Sequence, residues 1–140
     1  MDQSLTTTEL VQLYNSCDTY VSAHRGEGFG LDVSNSIGCG LPVICTGFGG
    51  TEGFSKGYVT RVPIEDELVP GVCWSNKIGK YGEPNLEALK KAMRANYEDQ
   101  NGKKGKIRKR AIDKSHDFRR DWSWDNAGKI AAKCCEELVK

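Results

Sequence analysis

The sequence predicts an α/β fold: a short parallel sheet flanked by helices, with three further helices closing the chain. Two observations lead there. Apolar runs of strand character alternate with helically spaced segments in the order helix, strand, loop, helix, strand, which is a crossover pattern and therefore a parallel sheet. Glycine is in excess, 16 of 140 residues with ten of them between Gly26 and Gly57, against ~7% in an ordinary chain. A stretch so built brings backbone close to a ligand or makes left-handed turns.

The elements follow in order. Thr6 and Glu9 have capping-box spacing, and Leu10, Leu13, Tyr14 and Cys17 repeat at helical intervals behind them. Asp18 to Ser22 reads as a buried strand. The loop AHRGEGFG leads into a second helix on which Leu31, Ser34 or Asn35, and Cys39 share a face before Gly38 and Gly40 stop it. Leu41 to Thr46 is a second strand, with Pro42 tolerable near its start. After the glycines of GFGGTEGFSKG, Tyr58 to Pro63 is a third strand, and Ile64 to Pro84 is irregular or a short hairpin. Helices are expected from Pro84, near the first helical position, to Asp99, from Lys103 to Phe118, and from Ser123, its N-cap, to Lys140. No repeat or linker divides the chain, so residues 1–140 read as a single domain.

Composition excludes several classes. With 38% hydrophobic and 28% charged residues and a net charge of +1, the chain is globular in type. It lacks an apolar run of the roughly 18 residues a membrane helix needs, and its first residues have no signal-peptide pattern, so it is expected to be soluble and cytoplasmic. The six cysteines, Cys17, Cys39, Cys45, Cys73, Cys134 and Cys135, form no C-x-x-C pair and are expected to be buried, reduced thiols. Glu65, Asp66 and Glu67 lie in a polar loop and are set aside as metal ligands.

The charge is unevenly spread. Residues 103–120 carry nine basic and two acidic side chains, whereas residues 1–102 carry eight and thirteen. Ile107, Ala111, Ile112, Ser115 and Phe118 form the apolar stripe of that basic helix, leaving its cations on the opposite face. Such a face is either simply solvated or meets an acidic membrane surface or a protein partner. Without interleaved aromatic residues to stack bases, nucleic acid is not expected. His116 lies on the solvated side.

The chemistry concentrates in one loop. A strand that ends in glycines and enters a helix offers free N–H groups at the positive end of the helix dipole, which is an anion site. In GEGFGLDVSNS the glycines at 26, 28 and 30 let a diphosphate approach the amides of Phe29, Gly30 and Leu31 without Cβ obstruction. The pattern is neither G-x-x-x-x-G-K-[ST] nor G-x-G-x-x-G. Glu27 repels phosphate unless it faces neutral hydroxyls, so a nucleotide-linked sugar suits both halves of the loop; the plain alternative is an exposed loop carboxylate. His24 and Arg25 enter the same loop, where Arg25 can pair with phosphate or with Glu27. Thr51 and Glu52, after Gly49 and Gly50, either approach the ligand or simply form a tight turn.

The run DTYVSAHRGEGFGLDVSNSIGCGLPVICTGFGGTEGF, Asp18 to Phe54, resembles the donor-sugar region of retaining GT-B glycosyltransferases whose signature is a Glu, seven residues and a second Glu. GEPNLEALKKAMRANYED and DWSWDNAGKIAAK resemble closing helices of the same domain. The resemblance implies a partial Rossmann-like domain, the later part of a C-terminal nucleotide-sugar-binding domain. It implies that Glu27 is the catalytic-site carboxylate, binding donor hydroxyls near C3 and stabilising the transition state without acting as nucleophile. Gly28, Phe29, Gly30 and Leu31 then hold the sugar and diphosphate, with Arg25, Gly50 and Thr51 beside them. Asn35 occupies the place of the second Glu and gives up its charge-assisted bond to ribose. The implied reaction is metal-independent hexosyl transfer from a UDP-sugar or GDP-sugar with retention and no cofactor. The acceptor-binding half is expected from a missing domain or a partner chain, so the isolated chain is expected to have little activity. The alternatives are a donor-binding subunit of a split enzyme, or a non-catalytic module that uses the basic helix to bind acidic lipid or nucleic acid.

Overall fold

Thr6 opens the first helix as its spacing implies. Its hydroxyl accepts a hydrogen bond from the Glu9 N–H at 3.3 Å, while the Glu9 carboxylate accepts from the Thr6 N–H at 2.8 Å. This reciprocal cap starts helix α1, Thr7–Ser16. The computed structural model describes residues 4–66, 69–71, 79–101 and 105–138.

Three short strands form the sheet: β1 Tyr20–Ser22, β2 Val43–Thr46 and β3 Thr60–Val62, all parallel, in the order β1-β2-β3. Val21 lies opposite Ile44, and Ile44 opposite Thr60. The expected parallel crossover sheet is therefore present. β2, in the centre, is buried along its whole length. β1 is not the buried strand its apolar residues imply: among the described residues it has a neighbour on one side only, and Val21 is 38% exposed.

Gly30, with φ +88, is the N-cap of α2, Leu31–Gly38. Because the helix starts there, its inward face is Val33, Ser36 and Ile37. The face expected from Leu31, Asn35 and Cys39 turns outward, with Leu31 68% exposed. The core joins Val33 and Ile37 to Val43 and Cys45 of β2, to Phe54 and to Phe118. Phe54 comes from a feature not expected from the sequence. Gly49–Thr51 is a 3-10 turn, which agrees with the tight-turn reading of this stretch, but it runs into a short helix α3, Glu52–Ser55, that the sequence does not indicate. Burial of the Phe54 ring outweighs the poor helix propensity of its neighbours.

Of the two readings of residues 64–84, the hairpin holds. β4 Val69–Gly71 pairs antiparallel with β5 Gly79–Tyr81. Helix α4, Leu86–Asn101, starts behind Asn85, whose side chain accepts from the Ala88 N–H at 2.8 Å; Pro84 instead bridges to Ile64. Helix α5, Lys106–Asp121, packs on α2 and α4 and buries Ser115 and Phe118. Its expected apolar stripe is otherwise only partly covered, and Ile112 is 45% exposed. The expected helix start at Lys103 lies outside the described residues.

The cations of α5 have work within the protein. Arg108 donates to Cys17 O at the end of α1, Arg119 to Gly38 O at the end of α2, and Arg110 to Gly57 O. Helix ends carry carbonyls without intrahelical partners, and a guanidinium there also meets the negative end of the dipole. Lys109, Lys114 and Arg120 pair with Asp113 and Asp117 along the helix.

Helix α6, Trp124–Leu138, begins at Ser123, whose hydroxyl accepts from the Asn126 N–H at 3.1 Å as the sequence implies. It buries no residue, and Trp124 is 92% exposed. Ending the chain at Ser123 is therefore expected to change stability by less than about 1 kcal/mol, roughly 3 °C in a circular-dichroism melt. A larger loss would show that α6 packs on the core. The exposed α6 also corrects the expectation of buried thiols. Cys134 and Cys135 are exposed with Cys17, Cys39 is half-buried, and only Cys45 of the five described cysteines is buried, its thiol pushed up to about 11 by desolvation. Cys73 lies outside the described residues. Among those residues no helix is long and apolar enough to cross a membrane.

Candidate functional site

Parallel strands end on one side of the sheet, and there the chain leaves β1 and β2 in two glycine turns, residues 23–30 and 47–51. The turns touch through their backbones. The Gly50 N–H donates to Glu27 O at 2.9 Å, and a Cβ on Gly50 would stand 1.8 Å from Gly28 O. Gly30 is required twice over, by its positive φ and because a Cβ there would stand 2.7 Å from the Thr51 methyl.

Above this floor opens a cleft of about 340 Å³ lined by Tyr20, Ser22, Glu27 and the run Phe29 to Val33. Three features give it chemistry. The first turn of α2 has no side-chain cap, and its residues Leu31 to Val33 line the cleft, which sets the positive end of the helix dipole beside it. Glu27 is exposed there, and one oxygen accepts from the Gly28 N–H at 3.1 Å, fixing the carboxylate beside the helix end. Phe29 packs its ring on buried Phe54 at 4.9 Å between centroids, leaving the loop braced on the core while 45% of the residue stays exposed. Donor amides beside an acceptor carboxylate suit a ligand that carries both an anion and hydroxyl groups.

Of the residues singled out from the sequence, Glu27, Phe29, Gly30 and Leu31 line the cleft, Gly28 lies between them in the chain, and Gly50 meets the backbone of Glu27 and Gly28. Three other residues singled out from the sequence stand apart. Arg25 forms an ion pair with Glu83 at 2.6 Å instead of reaching Glu27. Thr51 is fully buried, and its hydroxyl lies near Thr46 O, Phe48 O and His24. Asn35 is exposed on the outer face of α2, one turn beyond the cleft lining.

Asp32 was not anticipated. It lines the cleft one turn before Asn35 and accepts a long, 3.5 Å bond from the Tyr14 hydroxyl. Burial and then the Asp32 charge push both the Tyr14 and Tyr20 phenols above their ordinary pKa. The available signal was position alone, because Asp32 and Asn35 are three apart on one helical face. Glu65, an expected bystander, accepts from the Asn85 amide, and no acidic or His/Cys cluster suited to a metal occurs among the described residues.

Both turns, the cleft and the whole parallel sheet fall within one recognisable segment. Residues 3–69 match the group 1 glycosyl transferases. The matched segment is just under half of the chain and ends before α4. A similar curated protein is the UDP-N-acetylglucosamine--peptide N-acetylglucosaminyltransferase GtfA subunit of Streptococcus pneumoniae serotype 4, 40% identical over 58 residues. That alignment covers 41% of this chain and 10% of the relative, so the chain spans about a tenth of the length of the curated protein it matches. In glycosyl transferase terms, the glycine turn holding Glu27 and the turn holding Gly50 belong to the same matched unit.

Proposed function

We propose that this chain is the donor-binding part of a retaining glycosyltransferase. In this reading the cleft takes a nucleotide-diphosphate sugar, UDP- or GDP-linked. The amides at the start of α2 hold the diphosphate and Glu27 accepts from the sugar hydroxyls. As the sugar leaves, negative charge grows on the diphosphate, and donors fixed at a helix end stabilise that charge without having to reorganise. Glu27 orients the ring and favours the positive charge that develops at the anomeric carbon. The observation that carries the reading is the side-by-side placement of an uncapped helix end and the Glu27 carboxylate above two interlocked glycine turns.

Calorimetric titration of the 140-residue chain with UDP- and GDP-sugars tests it. Millimolar or tighter binding of at least one is expected, and Glu27→Gln is expected to weaken the sugar nucleotide about tenfold while leaving the bare nucleoside diphosphate unchanged, the loss of one charge-assisted bond. No binding by any of them to folded protein overturns the reading.

A second reading concerns assembly. Among the described residues β1 presents an unpaired edge and a 38% exposed Val21, and the relative is named as a subunit. Both favour a donor half that works against an acceptor-binding half supplied by another domain or chain, docked along the β1 edge. Co-purification of such a chain, with activity appearing only in the complex, is the expected result; full activity of the isolated chain would refute it.

A further inference from the structure

We propose that His24 is a positioning residue: an imidazole that locks the two glycine turns together and so fixes the loop on which Glu27 stands. The inference is carried by a one-way chain of hydrogen bonds. His24 is half-buried, two residues past β1, with Nε2 3.1 Å from Phe48 O and 3.3 Å from Thr51 Oγ1, and Nδ1 3.1 Å from Ser22 Oγ. A backbone carbonyl only accepts, so Nε2 carries the hydrogen. In the neutral ring Nδ1 is then an acceptor, and the Ser22 hydroxyl donates to it. Thr51 Oγ1 shares the Nε2 hydrogen and is free to donate onward to Thr46 O at 3.3 Å. Every group in the chain has a consistent role, which joins the end of β1, the first turn, the second turn and the end of β2.

The lock has mechanical consequences because the turns fit so closely. Thr51 is fully buried, and its methyl stands 2.7 Å from where a Cβ of Gly30 would be, so Thr51 packs directly against the point at which α2 begins. The bond from Gly50 N–H to Glu27 O crosses the same contact. Releasing His24 frees the second turn to move from under the first, and both Glu27 and the α2 amides lose their fixed placement. This oriented pair of donors and acceptor is what a site must hold within a fraction of an ångström. The role in ligand binding rests on the donor-site reading above; the lock itself does not.

Three measurements on the 140-residue chain decide it. Imidazole ¹⁵N shifts at neutral to alkaline pH are expected to show a single neutral Nε2–H tautomer for His24. His24→Phe, which removes both ring nitrogens, is expected to speed exchange of the Gly50 amide at least tenfold and to weaken UDP- or GDP-sugar binding about tenfold. His24→Gln, which restores one N–H toward Phe48 O, is expected to recover most of both. An Nδ1–H tautomer, or unchanged Gly50 exchange in folded His24→Phe, overturns the proposal. Should His24→Phe not fold, the wild-type tautomer and His24→Gln still decide. If the wild-type chain binds neither sugar nucleotide yet the Gly50 amide responds as described, the donor-site reading fails and the lock stands.

Discussion

Gly50→Ala is expected to lower stability by about 2–4 kcal/mol, roughly 6–12 °C in melting temperature, and to abolish donor binding at millimolar ligand. The cause is backbone meeting backbone. The added Cβ would stand 1.8 Å from Gly28 O and 2.4 Å from Gly28 C, and neither atom belongs to a side chain that can swing away. The turns must part, which breaks the 2.9 Å bond from Gly50 N–H to Glu27 O and moves Glu27 itself. Two controls separate this from a general glycine effect. A Cβ on Gly53, in α3, or on Gly28, in the first turn, meets nothing within 4 Å, so Gly53→Ala and Gly28→Ala are expected to stay within about 0.5 kcal/mol of the parent. Thermal melts of the three variants, with sugar-nucleotide titration of those that fold, check the expectation. A Gly50→Ala protein as stable as Gly53→Ala would show that the turns are not interlocked.

This contact also shows what could be read from the chain and what could not. The first glycine turn was legible, since a strand, three glycines and a helix start lie consecutively in sequence and their chemistry follows from local rules. So were the parallel sheet and the caps at Thr6 and Ser123, for the same reason. The second turn was legible as a tight glycine turn, but the helix that follows it was not. Its short helix forms because Phe54 reaches the core cluster with Phe118, 64 residues further along by the numbering, and no local window contains that fact. Arg25 illustrates the same limit at the site. Two residues before Glu27 in sequence, it looks like its partner, yet Glu83 is brought across by the chain that follows β5 and takes the guanidinium. The basic helix keeps the solvated face expected of it, with Lys109, Lys114 and Arg120 exposed, but the carbonyl ends of α1 and α2 that receive Arg108 and Arg119 have no sequence signature facing α5. Val21 differs again, because its apolar character fits a buried strand, and only the order of strands reveals that it lies on an edge.

Phe54→Ala is expected to cost about 3–5 kcal/mol, the usual range for truncating a buried phenylalanine. Phe54 is 2% exposed and stands at the centre of an aromatic cluster, with ring centroids 4.9 Å from Phe29, 5.7 Å from Trp122 and 5.9 Å from Phe118. Its neighbours cannot close the gap easily. Phe118 is also held edge-on by Tyr58 and stacked on Trp122, so collapse into the cavity would break one aromatic contact to repair another. Against a total stability of ~5–15 kcal/mol for a domain, such a loss shifts the urea midpoint strongly, and Trp122 fluorescence gives a direct readout of the cluster. Phe54→Leu keeps most of the volume and is expected to lose less than about 1.5 kcal/mol. The site should report the change too, because Phe29 rests on Phe54 and lies next to Gly28 and Gly30. Donor binding by folded Phe54→Ala is therefore expected to weaken more than that of Phe54→Leu. A Phe54→Ala variant that loses less than about 1 kcal/mol would mean that the cluster relaxes around the cavity, and unchanged donor affinity would mean that the Phe29 loop is held by the glycine turns alone.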